Sequence, residues 1–376
     1  MSKPTPFPLI ELSGPPRRRG EVHGEAARAR IELSIRHYAE QVGKLGFGRD
    51  RIEATCEALL PALEQWAPDL VEEMRGIAAG ADRSLAEIVL LNARTEVLQI
   101  AERETGRRDS EPDGCTGAVI LPEASAGGQV IHGQNWDWKA ICAETSVVLH
   151  VTREDGPDYL TFTEAGGLAR SGMNAAGISI TANYLECDRD YRGIGIPLPL
   201  IRRRALEARH FADALRVVAV TPKSGSNNMM LGYSGGEAIN LECAPDEAFA
   251  LYPENGIFVH ANHWLSHPAL TKLRETGLES VPDSLYRDRR VRRHLEPRIG
   301  QLTSDDLKTA LFDDFASPYA VCRPPLEKDN GNLSATVAMV IMEPARGVME
   351  IAPLPAMNRE FTQYRLTPEA LAAAAE

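Results

Sequence analysis

Asp113-Gly114-Cys115-Thr116 leads into an apolar run over 116–121, a turn over 124–128 and then Val130-Ile131-His132-Gly133-Gln134-Asn135-Trp136-Asp137-Trp138. Two such runs joined by a turn predict a β-hairpin with Cys115 at the start of its first strand. If the Gly114–Cys115 bond breaks, Cys115 becomes a new N-terminus and one residue then carries both a thiol and an α-amine. With ordinary pKa values near ~8.5 for the thiol and ~7.8 for the amine, the amine can take the thiol proton at neutral pH without a separate histidine. Gly114 suits the departing side, because without a Cβ it lets the thiol approach its carbonyl and tolerates strained backbone angles. A buried structural cysteine in a turn is the plain alternative for any single Cys.

Outward from this hairpin the composition narrows the field. At 376 residues, 43% hydrophobic and 25% charged, the chain is long enough for a large core and ordinary for a globular protein. A net charge of −12 argues against a general nucleic-acid surface, and the arginine triplets 17–19 and 202–204 read as solvated turn or helix faces. No apolar run reaches the ~18 residues of a membrane span, and Met1-Ser2-Lys3-Pro4 does not open a signal peptide, so a cytoplasmic location is expected. Cys56, Cys115, Cys142, Cys187, Cys243 and Cys322 show no C-x-x-C spacing, which points to neither a disulfide framework nor a thiolate zinc site.

The first 110 or so residues differ from the rest. Helical spacing over 21–44, 51–66, 70–79 and 85–104 predicts a helical pro-segment, followed by a polar loop over 105–113 that suits an exposed cleavage point. Beyond Cys115 short strands are expected at 147–152, 159–163, 178–182, 229–233, 239–243, 249–252, 256–260, 335–342 and 347–352. Helices are expected at 198–209, 211–220, 285–295 and 304–312, and the alanine-rich tail from Ala370 reads as frayed helix. Periodicity alone supports an α+β class.

Leu91-Asn92-Ala93-Arg94-Thr95-Glu96 upstream, the Gly-Cys pair, and Gln134-Asn135-Trp136-Asp137 downstream follow one another in an order that resembles the acyl-coenzyme A:6-aminopenicillanic acid acyltransferase family. This is the autoproteolytic C45 branch of the N-terminal nucleophile hydrolases, and the chain is more distantly similar to bile-salt hydrolases and penicillin V acylases. The resemblance implies a four-layer αββα sandwich in which the nucleophile starts a central strand. It also implies a zymogen cut at Gly114–Cys115, with 1–114 retained as the small subunit of a heterodimer and 115–376 as the catalytic large subunit, together one αββα domain.

The same likeness suggests roles for further residues. Asn183 would donate to a reacting oxyanion through its backbone and Asn228 through its side chain, with Asn227 the rival for the second place because a strand sends neighbours to opposite faces. A turn-capping asparagine is the plain reading of each. Asp137 would hold the new α-amine, and Arg287 would stabilise the thiolate, with Arg290 as its rival and a solvated face as the plain reading of the arginines at 287–293. This chain carries Gln134 where bile-salt hydrolases have Arg, so positive charge near the thiol has to come from elsewhere. Gln134, Trp136, Tyr184 and Trp264 are the candidate substrate-binding residues, and the polar loop 185–195 is a candidate lid.

The expected activity is that of a cysteine amidohydrolase or N-acyltransferase acting on a small N-acyl amide or acyl thioester, without a cofactor. The expected partner is its own pro-segment rather than nucleic acid or a membrane, with a higher oligomer left open. A rival reading rests on His260, His263 and His267: the last two are four apart, as zinc ligands on a helix would be, and Asp246 or Glu247 would complete the shell of a metal-dependent hydrolase or metal-binding module. Against it stand the missing His-Glu-x-x-His and Pro268, which limits a helix running on through His267.

Overall fold

A computed structural model describes residues 5–107, 114–328 and 331–370. Residues 108–113 of the expected loop and 371–376 of the expected tail lie outside the described residues, as does the start of the chain at 1–4.

Two sheets face each other. The first has strand order β1 (Leu9–Leu12), β4 (Ser146–Val151), β5 (Tyr159–Glu164), β6 (Ser171–Asn174), β7 (Ile178–Tyr184), β8 (Asn227–Tyr233), β9 (Glu237–Cys243) and β10 (Ala248–Leu251). The second runs β11 (Ile257–His260), β2 (Cys115–Ile120), β3 (Ile131–Lys139), β13 (Leu333–Glu343), β14 (Val348–Pro353) and β15 (Thr362–Arg365), with the short β12 (Leu326–Glu327) beside β13. Strand alternation sorts the side chains. In β7, Ile178, Ile180 and Ala182 face helices, whereas Ser179, Thr181 and Asn183 face the other sheet, where His132 bonds Ser179 and Thr181 at 2.9 Å each. Between the sheets, Val148, Leu160, Phe162 and Met173 pack with Trp136, Val340 and Met342.

Helices α1 (Pro16–Lys44), α2 (Arg49–Trp66), α3 (Pro68–Ala81), α4 (Leu85–Asn92) and α5 (Arg94–Thr105) cover the outer face of the first sheet together with α7 (Leu198–Leu206) and α8 (Phe211–Val220). The short α6 (Cys142–Thr145) and α9 (His267–Leu270) sit in connections, and α10 (Ser284–Leu295) and α11 (Ser304–Leu311) cover the outer face of the second sheet. The layers are therefore αββα. No helix among the described residues is long and apolar enough to cross a membrane.

The N-terminal segment is helical but not only helical. It begins with β1, which joins the sheet edge parallel to β4. Its α1 and α3 meet through Gly20 and Gly24 against Gly76 and Gly80, where a Cβ on any of the four would overlap the facing backbone. The single helix expected over 85–104 is broken at Ala93. There the Asn92 amide donates to the Ile88 carbonyl at 3.0 Å and to Gly166 O at 2.9 Å, while its oxygen accepts from Leu168 N at 2.9 Å, so the side chain competes with the helix ladder. The break turns α5 towards Cys115.

Candidate active site

Cys115 opens β2 and pairs across to Trp136 of β3, so both side chains share the face towards the first sheet. Its main-chain N–H donates to Asn262 Oδ1 at 2.6 Å, and its carbonyl accepts from Arg287 Nη1 at 2.7 Å. Arg287 also donates to Thr116 Oγ1 at 2.8 Å, to Asn262 Oδ1 at 2.8 Å and to Asp283 at 2.7 Å. Asn262 is itself fixed, giving Nδ2 to Tyr184 O at 2.8 Å and its main-chain N–H to Ser284 Oγ at 2.7 Å.

Arg287 is fully buried, not part of a solvated face. Arg290, its rival, lies instead against Asp313 at 2.6 Å. Arg323 completes the cluster behind Cys115, bonding Asp283 and pairing with Asp137 at 3.2 Å, while Thr336 donates to the other Asp137 oxygen at 2.6 Å. Burial, followed by the neighbouring Arg323, lowers the pKa of Arg287. A Cβ on Gly114 would stand 2.6 Å from Arg287 Nη2, so any side chain there would have to displace these guanidinium groups.

Asp137 therefore does not receive the Cys115 nitrogen in the uncut chain; Asn262 does. The physical reason is the strand period, since Asp137 is one residue past the partner of Cys115 and points the other way. The pairing of β3 with β13 shifts register between Thr336 and Ala338, a bulge beside the Asp137 contact.

Asn183 lines the cavity in front of Cys115, with its amide on His260 O at 2.9 Å and Ala261 O at 3.0 Å. Gln134 supports it from below, donating to Asn183 Oδ1 at 2.7 Å and Ala182 O at 2.6 Å and accepting from Ser171 at 2.8 Å. Asn228 sits opposite Asn183 in the β7–β8 register and bonds Asn240, whereas Asn227 points to the other face and reaches Gly225 O at 3.4 Å. Neither Asn227 nor Asn228 lines the cavity.

That cavity, about 350 Å³, is bounded by both halves of the chain: Thr95, Leu98 and Gln99 of α5 face Trp136, Tyr184 and Tyr191. Trp136 and Tyr184 line it, while Gln134 and Trp264 do not, the Trp264 indole donating instead to Glu186 O at 3.1 Å. From the loop 185–195, Glu186, Cys187, Asp190 and Tyr191 contribute walls.

Arg170 supplies the cation that Gln134 does not. It lies over the Trp136 ring at 3.9 Å and bonds Glu164 at 3.1 Å; Arg94 of α5 meets the same carboxylate at 2.5 Å, and Tyr38 donates to its other oxygen at 2.5 Å. Burial opposes ionisation of Glu164, but Arg94 and Arg170 outweigh it and hold the pKa at about 2. Burial and then the charge of Asp137 push the Cys115 thiol up to about 12, while Arg170 and Arg287 pull the other way.

Two of the three histidines of the rival reading are otherwise engaged, and the third starts a short helix. His260 bonds Glu242 and Ala261 O at 2.8 Å each, His263 bonds Ser284 at 2.7 Å, and His267 begins α9. Among the described residues no group of three or more His, Cys, Asp or Glu is placed to hold a metal ion. Glu164, Arg170, Asp283 and Arg323 join the site although no sequence pattern singles them out for it, Arg94 joins it from the 91–96 motif, and Asn262 is hidden within the histidine segment.

Residues 124–353 match the family described as acyl-coenzyme A:6-aminopenicillanic acid acyl-transferase. The chain is 30% identical over 321 residues to the 40 kDa form of acyl-coenzyme A:6-aminopenicillanic-acid-acyltransferase of Emericella nidulans, with 84% of each chain covered. Among solved structures it is similar to a mutant conjugated bile acid hydrolase from Clostridium perfringens, at 11% identity and a TM-score of 0.46, covering 68% of this chain and 94% of that one. It is also similar to penicillin V acylase from Agrobacterium tumefaciens, at 12% and 0.45, covering 68% and 88%. Likenesses of that strength say nothing about this chain's site.

Proposed function

The chain belongs to the acyl-coenzyme A:6-aminopenicillanic acid acyl-transferase family, and on that premise we propose that it is made as a precursor, cuts itself before Cys115 and then works as a cysteine amidohydrolase or N-acyltransferase on a small N-acyl amide or acyl thioester. The observation that carries this is the setting of Cys115: first in its strand, in the wall of a cavity, with its main-chain nitrogen held by Asn262 and Gly114 pressed against two guanidinium groups.

In the cut, Cys115 Sγ adds to the Gly114 carbonyl carbon. The C–N bond breaks, an S–C bond replaces it, and the thiol proton passes to the leaving nitrogen. Water then opens the thioester, leaving the Gly114 carboxylate, the thiol and the Cys115 α-amine. Asn262 Oδ1, already on that nitrogen, holds the amine, taking the place first expected of Asp137. Asp137 acts at one remove, by fixing Arg323 and through Asp283 the guanidinium of Arg287. Once the chain is cut, the released amine lies beside the thiol and is the base that takes its proton in turnover.

In turnover the amine takes the thiol proton, sulfur attacks the acyl carbon, and the tetrahedral oxyanion meets the Asn183 backbone; Asn228, bonded to Asn240 and away from the cavity, is not used as the second donor. The amine returns its proton to the leaving group. Water or an acceptor amine then resolves the acyl-enzyme. The small subunit stays bound through the pairing of β1 with β4 and through α5, which forms part of the cavity wall.

Mass spectrometry of the large chain after brief exposure to an activated acyl donor tests the reading. One acyl group on Cys115 is expected, released by water and diverted by a graded series of amines. No adduct on Cys115 with any donor would remove its nucleophilic role; an adduct that no amine diverts would leave a dedicated amidohydrolase.

A further inference from the structure

The Cys115 nitrogen rests on Asn262, and the support of Asn262 leads in turn to a histidine. The Asn262 main-chain N–H donates to Ser284 Oγ at 2.7 Å, and His263 Nδ1 lies 2.7 Å from the same oxygen. Ser284 is the first residue of α10 and fully buried, and His263 is 8% exposed. Neither lines the cavity in front of Cys115, so whatever they contribute passes through other groups.

Proton counting sets the direction of these two bonds. A main-chain N–H only donates, so Ser284 Oγ accepts from Asn262. Ser284 then has one proton to give, and His263 Nδ1 is the other partner of its oxygen among the described residues. The hydroxyl therefore donates to Nδ1, which is bare, and the ring carries its single proton on Nε2. A second ring proton would reverse the bond. Nδ1–H would then point at an oxygen already taken by the Asn262 N–H, and the Ser284 proton would lose its acceptor. The pKa of His263 is lowered, by burial first; Asp288 of α10 and Glu242 of β9 oppose the fall, while His260 of β11 and Arg287 of α10 add to it. The neutral ring is thus the form present at neutral pH.

The flanks of the turn are held without His263. Buried Glu242 accepts from Leu265 N at 2.6 Å and Ser266 N at 3.0 Å and bonds the His260 ring, and the His260 and Ala261 carbonyls take the Asn183 amide. At the centre, the Asn262 side chain spans from Tyr184 O to Cys115 N and Arg287, while its main-chain N–H depends on Ser284.

We propose that His263 is a positioning residue for the reaction at Cys115: by taking the Ser284 proton on Nδ1 it keeps the Ser284 oxygen turned to the Asn262 N–H, and so keeps Asn262 Oδ1 on the Cys115 nitrogen. A histidine that reads by its spacing as a metal ligand works here as a fixed hydrogen-bond acceptor. The proposal rests on the reading of Cys115 as nucleophile only for its effect on rate.

Heteronuclear NMR of the folded protein labelled at the histidine nitrogens reads the tautomer without any chemistry at Cys115, with the His263 signals assigned by their loss in His263→Asn. A bare Nδ1 and a protonated Nε2 are expected at neutral pH, and a proton on Nδ1 would overturn the proposal. Self-cleavage followed on a gel reads the consequence. His263→Leu, which leaves the Ser284 proton without an acceptor, should slow it about tenfold or more. His263→Asn, whose side-chain oxygen can stand where Nδ1 stands, should stay within about threefold of wild type. In a Ser284→Ala background, His263→Leu should cost nothing further, because the path it acts through is gone. A His263→Leu chain that cuts at the wild-type rate, a His263→Asn chain as slow as His263→Leu, or a full additional loss in the Ser284→Ala background would each overturn the assignment. Wild-type protein that never cuts would instead remove the reading of Cys115, before any variant is compared, and the tautomer would then decide on His263 by itself.

Discussion

Arg287 and Arg323 on one side of Cys115, and Arg94, Arg170 and Arg202 on the other, bring positive charge to a buried thiol in two different ways. Behind the strand, two guanidinium groups meet two carboxylates, Asp283 and Asp137, and their remaining donors reach Asn262, Thr116 and the Cys115 carbonyl. In front, Arg94 and Arg170 share one bonding carboxylate, Glu164, and Arg202 lines the same open cavity without an ion pair among the described residues. The same residue type therefore does opposite work. A closed cluster fixes the backbone that is to be cut, and an open one lines the cavity from which a ligand reaches it.

The closed side should break hardest. Arg287→Met leaves Asp283 with Arg323 as its one guanidinium partner and removes the contacts to Cys115 and Asn262, so a loss of about 3 kcal/mol in chemical denaturation is expected, together with an uncut chain. A variant as stable as wild type would return Arg287 to an ordinary helix face.

On the open side, Glu164→Gln leaves Arg94 and Arg170 without their counter-ion, at a cost of about 3 kcal/mol at neutral pH. Its pH dependence has a definite sign. The folded pKa is depressed from 4.5 to about 2, so the stabilisation is complete above about pH 4.5 and disappears as pH falls towards 2. Buried His23 and His132 and half-buried His37, lowered from 6.5 to about 4, 3 and 4, act earlier: below 6.5 the unfolded chain binds protons that the folded chain refuses. Melting curves of wild type and Glu164→Gln should therefore fall together from pH 6.5 to about 4.5, and their gap should close below that. A gap that stays constant to pH 2.5 would mean that the carboxylate charge is not what holds the open side.

Asn262 joins the two sides, and its loss should be felt in rate more than in stability. Asn262→Ala releases the Cys115 nitrogen, and a gel time course should show self-cleavage slowed by about a hundredfold. Cleavage at the wild-type rate would leave Asn262 as mere support for the turn before α10.

How far the sequence disclosed these two sides follows from what each depends on. The hairpin, the strand start at Cys115, α8 and α11 were legible because local apolar periodicity and turn residues set them. The four-residue β1 was not, since Leu9-Ile10-Glu11-Leu12 is stabilised by an edge pairing with β4, far along the chain. Nor was the break at Ala93, which depends on Asn92 reaching Gly166 and Leu168. Arg287 was within reach through the family likeness of its own segment, whereas Arg94, Arg170 and Arg202 converge from three separate segments. For Arg202 and Arg203 a usable signal existed: Leu200, Ile201, Ala205 and Leu206 surround them on α7 and are all buried, which a solvated face would not show.

The central claim, that Cys115 cuts its own chain and then serves as nucleophile, is tested most directly on a denaturing gel. Wild-type protein should run as two bands of roughly 12 and 29 kDa by share of the 41.1 kDa chain, with the larger starting at Cys115, and Cys115→Ala should remain a single full-length chain. Folded wild-type protein that stays in one piece, or a Cys115→Ala chain that is cut at the same bond, would contradict it.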